Sequence, residues 1–70
     1  MMSLAKKIRY ALIELEVSQS ELAKRTNQSQ PNLSKKIIAD NFNFNEYEKL
    51  VHALGCKLEV NIILPDGKIL

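Results

Sequence analysis

The sequence has few of the residues from which small catalytic and metal-binding sites are built. Among its 70 residues there is one cysteine, Cys56, one histidine, His52, and no tryptophan. A lone cysteine excludes an internal disulfide, and one histidine beside it leaves no Cys/His cluster for zinc. The serines have no general base arrangement to activate them as nucleophiles. We therefore expect no enzymatic activity, no metal and no cofactor.

Long apolar runs are also missing from the chain. No segment approaches the roughly 18 apolar residues of a membrane span, and Lys6 and Lys7 come too early for a signal peptide. The hydrophobic fraction of 46% and the charged fraction of 26% are those of an ordinary soluble globular domain. These features predict a cytoplasmic protein with no membrane partner.

A chain of this length can bury only a limited part of its surface when it folds. Folding a domain of this length buries only about 60% of the surface exposed by the unfolded chain, so its stability is marginal without help. Because disulfides and metals are excluded, a partner chain is the most economical source of further stability.

Charge is distributed unevenly along the sequence. Residues 1–38 contain seven Lys/Arg and three Asp/Glu, a net charge of +4, whereas residues 39–70 contain three and five, a net charge of −2. A basic half and a mildly acidic half indicate a polyanionic partner on one side of the molecule. A solvated basic face is the alternative.

The apolar periodicity predicts two helices in the first part of the chain. Ser3 is placed to cap the first, which runs to about Glu16. Its expected buried stripe is Leu4, Ile8, Ala11, Leu12 and Leu15. Ser18 and Glu21 form a capping box for the second, in which the glutamate side chain reaches back to the serine. Leu22 and Ala23 supply its buried face, and it ends around Thr26–Asn27.

Two more helices are predicted before residue 55. Ser29 caps the third, and Pro31 falls in its first turn, where a missing amide costs little. Leu33 and Ile37 form its buried face. A second capping box, Asn43 to Glu46, opens the fourth helix, and Gly55 ends it. The expected apolar stripe of that helix is Phe44, Tyr47, Leu50, Val51 and Leu54.

The period changes to two after Gly55. Alternating apolar residues over 56–64 predict a β-strand with one buried face, and Pro65-Asp66-Gly67 predicts a turn. No other segment of the chain supplies a full partner strand, so we expect the same strand of a second copy to pair with it. The expected dimerisation residues are Leu58, Val60, Ile62 and Leu64. The fourth helix is the alternative interface.

Two short helices joined by a brief turn have the geometry of a helix-turn-helix. Asn27 lies in the turn, where a left-handed conformation is needed and asparagine is the best residue after glycine. Ser18-Gln19-x-x-Leu22-Ala23, then Ser29-Gln30-x-x-Leu33-Ser34, then Leu54-Gly55, resembles the Cro/C1-type (XRE-like) helix-turn-helix family of phage repressors, mobile-element regulators and some antitoxins. The resemblance covers roughly residues 4–55. It departs from the family at Asn27, usually glycine, and at Gln28, usually apolar.

The resemblance implies a mainly α fold: a lambda-repressor-like domain of four to five helices with a C-terminal β-strand or short hairpin. Residues 1–55 would form the helix-turn-helix DNA-binding domain, and residues 56–70 a strand and turn extension used for dimerisation.

The family's DNA contacts carry over to particular positions. Gln19 resembles a glutamine that contacts a phosphate and braces the glutamine at the beginning of the third helix, here Gln30. Gln30 resembles the glutamine that contacts a base in the major groove. Pro31, Asn32 and Lys35 follow on the base-facing side, and the loop residues Asn41 and Asn43 resemble a phosphate-contacting segment. The Lys35–Lys36 pair adds positive charge. The expected DNA-binding set is Gln19, Ser29, Gln30, Pro31, Asn32, Lys35, Lys36, Asn41 and Asn43.

The sequence thus predicts a small homodimeric transcriptional regulator, a repressor that binds double-stranded DNA at an inverted-repeat operator. The alternative is an antitoxin that binds both DNA and a toxin protein. Recognition of RNA is disfavoured because no aromatic stacking surface is evident.

Overall fold

The computed structural model describes residues 2–70 and contains four helices. They are α1 (Leu4–Leu15), α2 (Gln19–Arg25), α3 (Gln30–Ala39) and α4 (Phe44–Ala53). The helix-rich, helix-turn-helix part of the predicted fold is confirmed, without a fifth helix in the described range. No helix between residues 2 and 70 has the length and apolarity needed to cross a bilayer.

All four helices begin with the predicted cap. The side chains of Ser3, Ser18, Ser29 and Asn43 accept hydrogen bonds from the backbone N–H three residues later, at 2.8–3.2 Å. Each cap satisfies one of the amides that the first turn of a helix leaves without an acceptor. Pro31 lies in the first turn of α3 as predicted.

The reciprocal half of both capping boxes is wrong. Glu21 does not reach back to Ser18; its Oε1 instead accepts a hydrogen bond from Nε of Arg25 at 3.3 Å. Glu46 likewise forms an ion pair with Lys36 at 3.2 Å. A cation within reach attracts each carboxylate away from the helix end.

Left-handed residues turn the chain between the helices. Glu16 (φ 55°), Asn27 (φ 56°) and Asp40 (φ 51°) follow α1, α2 and α3, and Gly55 (φ 75°) follows α4. Asn27 and Gly55 are where the sequence predicts this conformation. Asp40 does more than turn the chain, because its Oδ1 accepts a hydrogen bond at 2.8 Å from the backbone N–H of Ala5 in the first turn of α1.

The core lies where α1, α2, α3 and α4 meet. Its buried residues are Ala5, Ile8, Leu12, Leu22, Ala23, Leu33, Ile37, Tyr47, Leu50, Val51 and Leu54. The predicted stripes are wrong at Leu4, Leu15 and Phe44, which are about half exposed. Ala5 is buried instead. Tyr47 donates a hydrogen bond from its hydroxyl to the backbone carbonyl of Leu4 at 3.0 Å, which ties α4 to α1.

Residues 56–70, here called the C-terminal arm, form no β-strand within the described part of the chain. A single antiparallel bridge pairs Ile63 with Ile69, and Asp66 and Gly67 (φ 90°) form the predicted turn between them. Residues 56–61 have no neighbouring strand, so the hydrogen-bond ladder that defines a strand does not extend along them. The predicted strand, and its pairing between subunits, therefore have no support from the single chain.

The arm makes the molecule elongated. The radius of gyration is 13.5 Å and the longest dimension is 44 Å, against 22 and 20 Å in the other directions. A compact chain of this length would have a radius of gyration of about 11 Å. Leu58 packs against the core, whereas Val60, Ile62 and Ile63 are more than 60% exposed.

Candidate nucleic-acid interface

The N-terminal ends of α2 and α3 differ in the backbone groups they leave available. At α2, Glu21 N–H is capped by Ser18, and the amides of Gln19 and Ser20 have no protein acceptor within the described residues. At α3, Ser29 caps the amide of Asn32 and Pro31 has no N–H. The end of α2 thus offers more backbone donors to an anion, and α3 presents mainly side chains.

Both predicted glutamines lie at the first position of their helices. Gln30 is exposed and Gln19 is partly exposed. Neither side chain makes a hydrogen bond with another group in residues 2–70, so the predicted bracing of Gln30 by Gln19 is not formed here. Their amides are available for an external partner.

The outer face of α3 carries three of the predicted DNA-contacting residues. Pro31, Asn32 and Lys35 are all exposed. Ile38, one turn beyond Lys35, is 74% exposed on the same side. Sequence reasoning missed Ile38, although its position outside the Leu33/Ile37 stripe already marked it as an apolar residue with no place in the core.

Lys36 faces a different environment from Lys35. Its Nζ lies 3.2 Å from Oε1 of Glu46 at the beginning of α4. The pair borders a cleft of about 190 Å³ between the α2–α3 turn, α3 and α4, which Asn32 also lines. Lys35 has no ion pair within the described range. The predicted basic pair is thus one exposed cation and one that is already neutralised.

The loop between α3 and α4 contains Asn41 and Asn43. Asn43 uses its Oδ1 to accept a hydrogen bond from the amide of Glu46 at 2.8 Å, which caps α4. Its Nδ2 has no partner among the described residues. Asn41 is exposed, with its backbone N–H bonded to the carbonyl of Lys36. Both side chains keep donors that suit a phosphate oxygen.

A chain of hydrogen bonds links the turn to α3. Thr26 donates from Oγ1 to the carbonyl of Leu22 at 2.9 Å, and Gln28 donates from Nε2 to that Oγ1 at 2.8 Å. Asn32 in turn donates from Nδ2 to Oε1 of Gln28 at 2.9 Å. Thr26 and Gln28 were absent from the predicted site, because a contact of this kind depends on the folded turn.

Arg25 connects α2 to the far end of α4. Its Nη1 donates a hydrogen bond to the carbonyl of Ala53 at 3.1 Å, and its Nε donates to Glu21. The positive charge of Arg25 at the C-terminal end of α4 also interacts favourably with the negative end of that helix's dipole. This contact fixes α2 against α4. Arg25 is therefore partly committed to structure and is not a simple DNA-facing charge.

The groups exposed on this side of residues 2–70 are mainly hydrogen-bonding and charged groups. No cluster of three or more His, Cys, Asp or Glu side chains is positioned to bind a metal within the described residues. Two capped helix ends, exposed amides and scattered lysines are groups that bind by hydrogen bonding and charge.

Comparison with known proteins bears on this arrangement directly. A family model described as the Cro/C1-type HTH DNA-binding domain matches residues 7–59, which span α2, the turn, α3 and α4. No curated protein and no solved structure gives a significant match. With capped helices in the expected order and a match over most of its length, the chain belongs to the Cro/C1-type helix-turn-helix family of DNA-binding domains.

Proposed function

We propose that the protein is a homodimeric transcriptional regulator that binds a specific sequence of double-stranded DNA. The observation that carries this proposal is the exposed beginning of α3, Gln30 to Asn32, in a domain of a DNA-binding family. An α-helix fits the major groove of B-DNA, where each base pair presents a distinct pattern of donors and acceptors.

In this proposal α3 lies in the major groove and α2 crosses the backbone. Gln30 contacts a base, since a glutamine amide can donate to N7 and accept from N6 of adenine. Gln19 and the α2 amides bind a phosphate, which the uncapped N–H groups there support. Pro31 and Ile38 offer apolar contact, for which a thymine methyl is the matching group.

Positive charge on this side supplies sequence-independent affinity. Lys35 is exposed and unpaired within the described chain, and the donors of Asn41 and Asn43 lie in the loop that follows α3. Together they form the proposed phosphate contacts at the edge of the groove. Lys36 contributes less, because Glu46 already neutralises it.

The proposed dimer forms through the C-terminal arm, leaving residues 1–55 as the DNA-binding unit. Between Lys57 and Asn61 no backbone N–H donates to another backbone group in the described chain, and Val60 and Ile62 are exposed. Unpaired backbone beside exposed apolar side chains favours strand pairing with a second copy. Two-fold symmetry then predicts an inverted-repeat operator with half-sites about 34 Å apart.

We propose repression as the regulatory outcome. A small dimer on its operator excludes other proteins from the same DNA, which requires no further activity from the chain. A reporter gene with the selected site overlapping its promoter should be repressed, whereas a site placed well upstream should have no effect. Activation from the upstream site would contradict this role.

In vitro selection of bound DNA tests the proposal. The wild-type protein should select an inverted repeat. Gln30→Ala should lose about 1–3 kcal/mol on that site and relax preference at one base pair per half-site. Gln19→Ala is the matched control, since loss of a phosphate contact should weaken binding to every sequence alike. Uniform weakening by Gln30→Ala, or no selected sequence at all, would refute the proposal.

A further inference from the structure

The hydrogen bonds that connect Asn32 to Leu22 through Gln28 and Thr26 each have a fixed donor and a fixed acceptor. A backbone carbonyl can only accept, so the hydroxyl of Thr26 must donate its single proton to Leu22, or to Ala23 at 3.3 Å. The Oγ1 of Thr26 then acts only as an acceptor toward Gln28. This forces Gln28 to point its NH₂ group at Thr26 and its carbonyl oxygen away from it.

Asn32 meets that carbonyl oxygen. Because Oε1 of Gln28 can only accept, Asn32 must turn Nδ2 toward it, at 2.9 Å. A rotation of the Asn32 amide by 180° would bring two carbonyl oxygens together. The backbone of α2 therefore determines, through two side chains, which way the amide of Asn32 faces.

The orientation leaves a defined set of groups on the exposed side of Asn32. Its Oδ1 and its second N–H have no partner within residues 2–70. One acceptor and one donor on a planar amide match N6 and N7 of adenine in the major groove. An exposed asparagine otherwise samples both orientations of its amide, and binding then costs the entropy of selecting one of them. An orientation that is fixed in the free protein removes this entropic cost from binding.

We propose that Thr26 and Gln28 are positioning residues for Asn32, and that they set the base preference at the position it contacts. This inference rests on the proposed binding of DNA by α3. Asn32 is the contacting residue, and the turn provides the orientation. The expected target of Asn32 is an adenine, at a base pair separate from the one contacted by Gln30.

Thr26→Val tests the inference with little change in shape. It removes the hydroxyl but leaves the Leu22 carbonyl bonded to the backbone N–H of residue 26, at 3.1 Å. Thr26→Ser keeps the hydroxyl and is the matched control. Asn32→Ala identifies the base pair concerned, where discrimination should fall by about 5- to 150-fold. Binding-site selection on all three variants compares them position by position.

We expect Thr26→Val to relax preference at the base pair identified by Asn32→Ala and to leave the Gln30 position unchanged. Thr26→Ser should behave as the wild type. A purely structural role for Thr26 would instead weaken binding to all sequences without changing the preference at any position. That result, from a wild type that does select a site, would overturn the inference and leave the proposed function intact.

A second readout does not require DNA. In the wild type and Thr26→Ser, the side-chain amide protons of Gln28 and Asn32 should show slowed solvent exchange by NMR, and in Thr26→Val they should exchange faster. Equal exchange rates in all three proteins would overturn the inference. Should Thr26→Val fold poorly, Gln28→Leu interrupts the same chain of bonds in the partly exposed turn, and selection on that variant decides between the same outcomes.

Discussion

The ammonium group of Lys36 lies 3.2 Å from a carboxylate oxygen of Glu46, which joins the end of α3 to the beginning of α4. The side chains remain 29% and 38% exposed, so the pair contributes little to stability. Its greater effect is on charge, since it neutralises a lysine close to the proposed DNA-binding surface.

Replacing Glu46 with glutamine should therefore strengthen DNA binding at low salt. The released lysine can then reach a phosphate, and the slope of log K against log salt concentration should steepen by about one unit. Glu48→Gln removes the same charge from the same helix and is the control. Equal steepening by the two variants would mean that net charge, not release of Lys36, is responsible. Titrations of a fixed DNA site at several salt concentrations measure both slopes.

Tyr47 should make stability fall at alkaline pH. Burial, with a smaller contribution from the negative charge of Asp40, raises the pKa of Tyr47 above its ordinary value of 10.0. The unfolded chain then loses the tyrosine proton before the folded one does, so the stabilisation is complete below about pH 10 and is lost as pH rises toward the higher folded-state pKa.

The variant Tyr47→Phe should show a shallower alkaline loss than the wild type. At neutral pH it should be less stable by about 0.5–1.5 kcal/mol, because the hydrogen bond to the Leu4 carbonyl is lost. Tyr10→Phe, at a tyrosine that is 52% exposed, is the control and should change neither quantity. Urea unfolding at a series of pH values provides the comparison, and identical profiles for Tyr47→Phe and the wild type would contradict it.

Asp40 should contribute to stability in two separable ways. Asp40→Gly removes the hydrogen bond to Ala5 but accepts the left-handed backbone, whereas Asp40→Ala loses the bond and adds strain of about 1–2 kcal/mol. Asp40→Asn keeps a side-chain acceptor and tolerates the conformation. Unfolding free energies should decrease in the order Asp, Asn, Gly, Ala. If the Gly and Ala variants were equally stable, backbone strain would not contribute.

The proposed dimer interface predicts an effect of charge in the arm. Val60→Asp should give monomers in analytical ultracentrifugation and weaken operator binding, because a carboxylate would be buried between the paired arms. Asn61→Asp, the next residue along the arm, is the control and should stay dimeric. A Val60→Asp protein that remains a dimer would mean that the interface lies outside the arm, with α4 as the next candidate.

Local signals explain why the helices were predictable. Ser3, Ser18, Ser29 and Asn43 each cap a helix within a residue of the expected boundary, because a cap depends only on groups three residues apart. Asn27 was predicted in the left-handed region on similar grounds. These features depend on the nearest neighbours in the sequence, which are visible before the chain folds.

Contacts between distant residues were not predictable in this way. Asp40 reaches Ala5 across 35 positions, and Glu46 meets Lys36 only because α3 and α4 pack together. Leu4 and Phe44 fit an apolar stripe, but how much of a stripe is covered depends on the shape of its neighbours. In the arm, alternation predicts a strand, but a strand requires a second one beside it.

The contact of Leu58 with the core has a mechanical consequence. It holds the first residues of the arm against the helices, so the arm can change direction only beyond that residue. Residues 59–62 span about 13 Å when extended, so a rotation of about 10° just after Leu58 moves the far end by roughly 2 Å. Within the helical part, Arg25 fastens α2 to α4. The proposed dimer would therefore adjust the separation of its two DNA-binding units through the few residues that follow Leu58, while each unit moves as a rigid body.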